Sequence, residues 1–158
     1  MTPQPVAHFQ IAPEWADEID QAQIDAALRH SLAAEGQPPE SSLSIVIVGD
    51  EEMAYYHEQY RHEPGPTDVL SFPYDDDALD EEMAHYLGDV IIGYEQAARQ
   101  AAEQGHSTAE ELVLIAVHGL LHLLGYDDEA PTARATMWQR QREILTDLGL
   151  GHVVPGDG

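Results

Sequence analysis

The chain has 158 residues, with 30 acidic side chains against 6 basic ones, all arginine, so its formal charge is −24 with histidine neutral. Without lysine there is no P-loop phosphate cradle and no Schiff-base lysine; without cysteine there is no disulfide framework, no thiolate nucleophile and no cysteine-based zinc finger. The length suits one domain, the 43% apolar content is that of an ordinary globular protein, and the longest apolar run, Leu112 to Val117, is far too short to span a bilayer.

In chain order, Val6 to Ile11 is a weak strand candidate. Met1 to Pro5 before it carries no basic stretch ahead of an apolar one, so no secretory signal is read and a cytoplasmic protein is expected. Residues 17–34 read as a helix, with Ile24, Leu28 and Leu32 on one face, broken by Gly36, Pro38 and Pro39. Residues 43–48 (LSIVIV) are a buried strand. Asp50 is expected to cap a short helix over 51–60, and residues 62–66 form a loop. A second interior strand runs over 67–72 and is closed by Pro73. Six acids between Tyr74 and Met83 read as a solvated surface loop.

A third interior strand, 87–92, ends at Gly93, and a helix over 95–104 stops at Gly105. Ser107 opens the most apolar helix, through Leu124, with two overlapping capping boxes, Ser107/Glu110 and Thr108/Glu111, and Gly125 as a left-handed stop. Pro131 begins a last helix to about 148, whose polar face carries Arg134, Arg140 and Arg142. The pattern predicts an α+β fold: a single domain over residues 1–150, with a small mixed sheet of about four strands and about five helices, and 151–158 as a loose C-terminal tail.

The acidity is itself a physical statement. A folded chain of this length has a radius of gyration of about 15 Å. Charges on such a body repel over about 8 Å at physiological salt and over about 3 Å at molar salt. The composition fits a salt-rich cytoplasm as well as a merely acidic protein. Salt adaptation predicts a thermal midpoint that climbs steeply with KCl, and a flat titration removes that reading. Neither reading supplies a basic patch for nucleic acid.

The chemistry concentrates in His118-Gly119-Leu120-Leu121-His122-Leu123-Leu124-Gly125-Tyr126-Asp127-Asp128. Positions four apart lie one above the other on a helix, so His118 and His122 point the same way and can grip one ion. After the turn at Gly125, Asp128 can fold back beneath them. Three protein ligands and an open position make a catalytic zinc site. Two neutral core histidines are the plainer alternative. The spacing (His, His at +4, Gly at +7, a ligand type at +10) equals that of the H-E-x-x-H-x-x-G-x-x-H zinc proteases, and so predicts a zincin-like metal-binding helix. The protease general base is missing, however: Gly119 stands where Glu is required.

These segments, taken with 100–107, Glu111-Leu112, Tyr60-Arg61, Pro66 to Pro73, Leu87 to Val90, Arg142 to Leu145 and Leu148-Gly149, resemble the YbeY family of metal-dependent endoribonucleases, the rRNA maturation factors. The resemblance covers about Leu43 to Gly149. It implies a single-strand endoribonuclease with one Zn2+ per chain, another divalent metal being an alternative. His118 and His122 would be ligands, and Asp128 would stand at the family's third histidine. Arg61 and His118 are implied as catalytic residues, Arg61 because a guanidinium can hold a phosphodiester and its developing charge. The implied partners are ribosomal RNA and the small ribosomal subunit, with neither membrane nor DNA expected.

His62 and Glu63 stay open as the general base, beside the metal's own hydroxide. Asp127 is read either as orienting a ligand imidazole or as a turn former. Ser71 is read as a strand residue, Asp89 as a turn cap, and His57, His62, His85 and His106 as surface or capping residues. A rival of another class is a metal-stabilised ribosome assembly factor without turnover, favoured by the missing lysines and by Asp128; a protease-like hydrolase is disfavoured by Gly119.

Overall fold

Residues 5–61, 67–74, 85–127 and 129–153 are described in the structure, a computed structural model of the chain; of Arg61 only the backbone is described. Four strands, β1 (Ala7–Ile11), β2 (Ser42–Val48), β3 (Val69–Pro73) and β4 (Tyr86–Gly93), form one sheet in the spatial order β1-β2-β4-β3. β1, β2 and β4 are parallel, and β3 runs antiparallel along the outer side of β4. The register sets Ile45 beside Val90 and Ile47 beside Ile92 on one face. On the other it sets Val46 beside Ile91 and Ile91 beside Leu70. Both faces are covered, which is why 43–48 reads as a near-continuous apolar run and not as an alternation.

The helices are α1 (Gln21–Ala34), α2 (Asp50–Arg61), α3 (Tyr94–Gln104), α4 (Thr108–Leu123) and α5 (Pro131–Asp147), so the α+β expectation of a four-stranded mixed sheet with five helices holds. The larger core joins Ile45, Ile47, Val90 and Ile92 to Ile24, Leu28 and Leu32 of α1, to the apolar length of α4, and to Met137, Ile144 and Leu145 of α5. α2 closes the opposite face, where Met53 packs with Val48, Leu70 and Ile91. No helix among the described residues is long and apolar enough to cross a membrane.

α4 is the central element. Residues 111–117 and 119–121 are all buried. A helix that is apolar all round must be surrounded, and this one has the sheet, α1, α3 and α5 about it. Its start is held by one of the two predicted boxes: Glu110 N donates to Ser107 Oγ at 3.1 Å and Ser107 N donates to Glu110 Oε1 at 2.9 Å. That backbone donor, together with His152, holds the Glu110 carboxyl down at about 2. The overlapping Thr108/Glu111 pair makes no box, because Glu111 points into the interior at 1% exposure.

Several boundaries differ from expectation. α1 starts at Gln21, not at residue 17, because Asp20 is its cap and accepts from Gln23 N; Pro13–Trp15 forms a separate 3-10 turn. Asp50 is the first residue of α2, and its carboxylate grips Arg99 at 2.9 and 3.0 Å. Asp89 is no turn cap but lies within β4, where the Tyr86 hydroxyl donates to it. β3 begins at Val69, which leaves Thr67 and Asp68 just ahead of the strand. The acid-rich segment 75–84 lies outside the described residues. Of the expected tail, Val153 is buried against the core and its N–H donates to Leu150 O at 2.9 Å, while 154–158 are outside the described residues.

Two glycines let α4 and β3 close on β4. Gly88 has φ +142°, and a Cβ there would stand 2.2 Å from Phe72 O across the β3–β4 pair. It sits in a bulge where the β2–β4 register shifts. Gly119 lies against β4, and a Cβ there would stand 2.6 Å from Val90 Cγ1 and 3.3 Å from Ser71 Oγ. The same close approach brings Ser71 Oγ to within 3.4 Å of Gly119 O, to which it donates.

Candidate active site

Between β3 and the C-terminal half of α4 lies a cleft of about 310 Å3. Thr67, Asp68, Val69, Ser71 and Pro73 line it from the strand side, and His118 and His122 from the helix. The alternation along β3 explains Val69, Ser71 and Pro73. Val69 and Ser71 pair in register with Ile92 and Val90, and so face α4, whereas Leu70 faces α2. The helical period explains the second set.

The two imidazoles are packed edge to face, with ring centroids 4.8 Å apart and planes at 76°. Each is fixed at Nδ1 by an oxygen that only accepts. His118 Nδ1 donates to Gln141 Oε1 at 2.8 Å, and His122 Nδ1 donates to the Tyr126 carbonyl at 3.1 Å. A neutral imidazole that donates from Nδ1 carries its lone pair on Nε2. The pair is therefore set in the tautomer that ligates a divalent ion through Nε2, with an acceptor behind each ring, as in metal sites generally. The Trp138 ring, with its centroid 5.3 Å from that of His118, walls the first ring.

Gln141 is the site residue that the sequence reading missed. It is 1% exposed and shares the inward face of α5 with Met137, Ile144 and Leu145. A lone amide on an apolar helical stripe is the signal that would have found it, since a buried amide needs a partner. Behind His122, the turn after Gly125 (φ +104°) brings the Tyr126 carbonyl back to the ring. Asp127 does not reach that imidazole; it accepts from Glu129 N at 2.9 Å and forms the turn.

The other expected site residues fall differently. Asp128, His62 and Glu63 lie outside the described residues, as does the side chain of Arg61, whose backbone ends α2. Among the described residues no group of three His, Cys, Asp or Glu side chains is gathered around a common point. Ser71 is a strand residue as expected, and it also lines the cleft. His106 is neither surface nor cap. Its side chain is 3% exposed and Nε2 pairs with Glu111 Oε1. That pair straddles the start of α4 at a spacing of five, which no helical periodicity picks out.

Comparisons with known proteins bear on this cleft. The profile of the family described as endoribonuclease YbeY matches residues 10–149. A protein named endoribonuclease YbeY from Clavibacter michiganensis is 41% identical over 146 residues, covering 90% of this chain and 95% of that protein. One of the same name from Acidothermus cellulolyticus is 42% identical over 145 residues, covering 87% and 88%. Another from Exiguobacterium is 40% identical over 134 residues, covering 80% and 85%. A solution structure of a Thermotoga maritima protein superposes with a TM-score of 0.56 at 20% identity, covering 90% of this chain and 92% of that one, and so shares its fold.

Proposed function

Since the chain belongs to the endoribonuclease YbeY family, we propose that the cleft between β3 and α4 is where it hydrolyses phosphodiester bonds of single-stranded RNA, around a zinc ion held by His118 and His122. The protein is a hydrolase acting on RNA, with rRNA maturation as its role. The observation that carries the reading of the cleft is the pair of imidazoles one turn apart, each pinned at Nδ1 by a carbonyl-type acceptor. Asp128 is proposed as a third ligand. A set of two imidazoles and one carboxylate suits zinc, and also suits other divalent ions.

Bound there, a divalent metal supplies Lewis acidity toward a phosphoryl oxygen and toward water. The protein's own residues do the rest. Gln141 and the Tyr126 carbonyl hold the rings against rotation, so that the ligand directions are set before an ion arrives. The β3 wall closes one side of the cleft. Arg61 is proposed to hold the phosphodiester and its developing charge bidentately. With a net charge of −24 the body repels RNA, so the cationic metal and the arginine are the proposed anchors of the backbone. The ribosomal RNA of the small subunit and a cytoplasmic setting complete the proposal.

The peptidase reading is not favoured by this packing. The position that would carry the protease's Glu faces β4 with no room for a Cβ. The experiment is cleavage of a defined single-stranded RNA by the purified protein, with chelator and then with zinc restored. Internal cuts that vanish with chelator and return with zinc support the proposal. Metal-loaded protein that binds RNA and never cuts it supports the assembly-factor reading instead.

A further inference from the structure

The cleft holds one carboxylate, among its described residues, that metal binding at the histidine pair leaves without a role. Asp68 lines the cleft beside His118 and His122, and its orientation is fixed from behind. Gln100 Nε2, on α3, donates to Asp68 Oδ2 at 3.3 Å and to Glu111 Oε2 at 3.1 Å. The other oxygen of Glu111 pairs with His106, and both of these side chains are almost wholly buried. Gln100 cannot reverse its amide without losing this arrangement, because its Oε1 accepts from Gln96 Nε2 at 3.2 Å. The Asp68 backbone is held as well: its carbonyl accepts from Gly93 N at 2.9 Å. A buried polar network of this kind, in which only His106 Nδ1 has no hydrogen-bond partner among the described residues, rigidifies what it touches. Here it runs from the α3–α4 turn to the wall of the cleft, and Oδ1 of Asp68, which takes only a long 3.5 Å bond from the Thr67 hydroxyl, keeps a lone pair for a ligand.

Hydrolysis needs an acceptor that orients the attacking water. The histidine helix has none, since Gly119 has no side chain and no space for one. Of the other described residues on the strand side of the cleft, Val69 and Pro73 are apolar, Thr67 is a hydroxyl, and the Ser71 hydroxyl is committed to Gly119 O. The geometry points to Asp68 as a further residue of the reaction: its carboxylate accepts a hydrogen bond and then the proton from the water that attacks phosphorus, while the P–O bond to the leaving ribose oxygen breaks and that oxygen takes a proton from solvent; Gln100, Glu111 and His106 are positioning residues that hold Asp68 there. This rests on the RNA-hydrolase reading of the cleft.

Asp68→Asn is the discriminating variant. It is nearly isosteric, its amide oxygen takes the Gln100 bond, and its NH2 then faces the cleft, so an acceptor becomes a donor while the network survives. Gln100→Met keeps the length of the side chain and removes the donor. For both variants kcat and KM on a single-stranded RNA, zinc affinity and the thermal midpoint are measured. Asp68→Asn is expected to lose about 100-fold in kcat, at the low end for a group that handles the reacting proton, with KM and zinc affinity within about threefold of wild type. Gln100→Met is expected to lose about tenfold or more in kcat at unchanged KM, since a displacement of about 1 Å is already costly.

An Asp68→Asn protein that turns over within about threefold of wild type overturns the inference. So does a loss of more than about tenfold in zinc affinity, which would make Asp68 part of what holds the metal and not the acceptor for the water. Wild-type protein that does not cleave RNA overturns the underlying reading, and that is seen before any variant is compared. Should Gln100→Met fail to fold, Asp68→Asn alone decides.

Discussion

His118→Ala and His122→Ala are each expected to abolish RNA cleavage while leaving the fold intact. Losing only an acceptor behind a metal-bound imidazole costs about 10–100-fold in metal affinity or activity. Removing the imidazole itself must cost more, so a loss of over about 100-fold is expected for either variant. Stability should change by less than about 1 kcal/mol, because both rings are only half-buried at the cleft. Gln141→Leu separates orientation from ligation. It keeps both rings, removes the partner of His118 Nδ1, and should lower zinc affinity by about 10–100-fold. Parallel zinc titrations and cleavage assays check all three. Cleavage that persists in both histidine variants would point to a contaminating nuclease or to a different site.

Gly119→Ala is expected to destabilise the protein by overpacking alone. The added Cβ would lie 2.6 Å from one Val90 methyl and 3.1 Å from the other, on a strand fixed on both sides by β2 and β3. Neither β4 nor α4 has slack to give, so overpacking of about 1–3 kcal/mol is expected, read as a lower midpoint in denaturant at unchanged slope. Gly119→Glu adds a buried charge to the clash and should leave little folded protein. That variant also separates two chemistries. In the zinc proteases the residue after the first histidine must reach the reacting water; here the equivalent side chain would have to pass through β4. A Gly119→Glu protein that folded normally and gained peptidase activity would contradict the packing described above.

Much of this architecture was legible from local signals. β2 and the body of β4 stood out as short β-branched runs bounded by glycine or polar residues, and α4 as an apolar helix with a box before it and Gly125 after it. The histidine pair was legible for the same reason: a spacing of four on a helix dictates a common face. What was not legible depends on contacts distant in sequence. The antiparallel placement of β3 next to β4 is such a contact, and it is what makes the wall of the cleft. The start of α1 was misplaced because Asp17, Glu18 and Asp20 offer competing helix starts, and only the bond from Gln23 N to Asp20 decides between them.

The missed site residues have the same origin. Gln141 meets His118 across 23 residues, and Gln100 meets Asp68 across 32. His106 and Glu111 are close in the chain, but they become partners only because α3 and α4 enclose them. The role of Gly119 was read first as a missing base. The packing gives it a positive reason, the closeness of Val90, which holds the histidines at the right height over β3.

The most direct test of the central claim is zinc K-edge X-ray absorption on the zinc-loaded protein. Two imidazole nitrogens at about 2.0–2.1 Å, completed by oxygen ligands and reduced to one in His118→Ala or His122→Ala, is the predicted result. A spectrum without imidazole scattering, or one unchanged in both variants, would contradict the account.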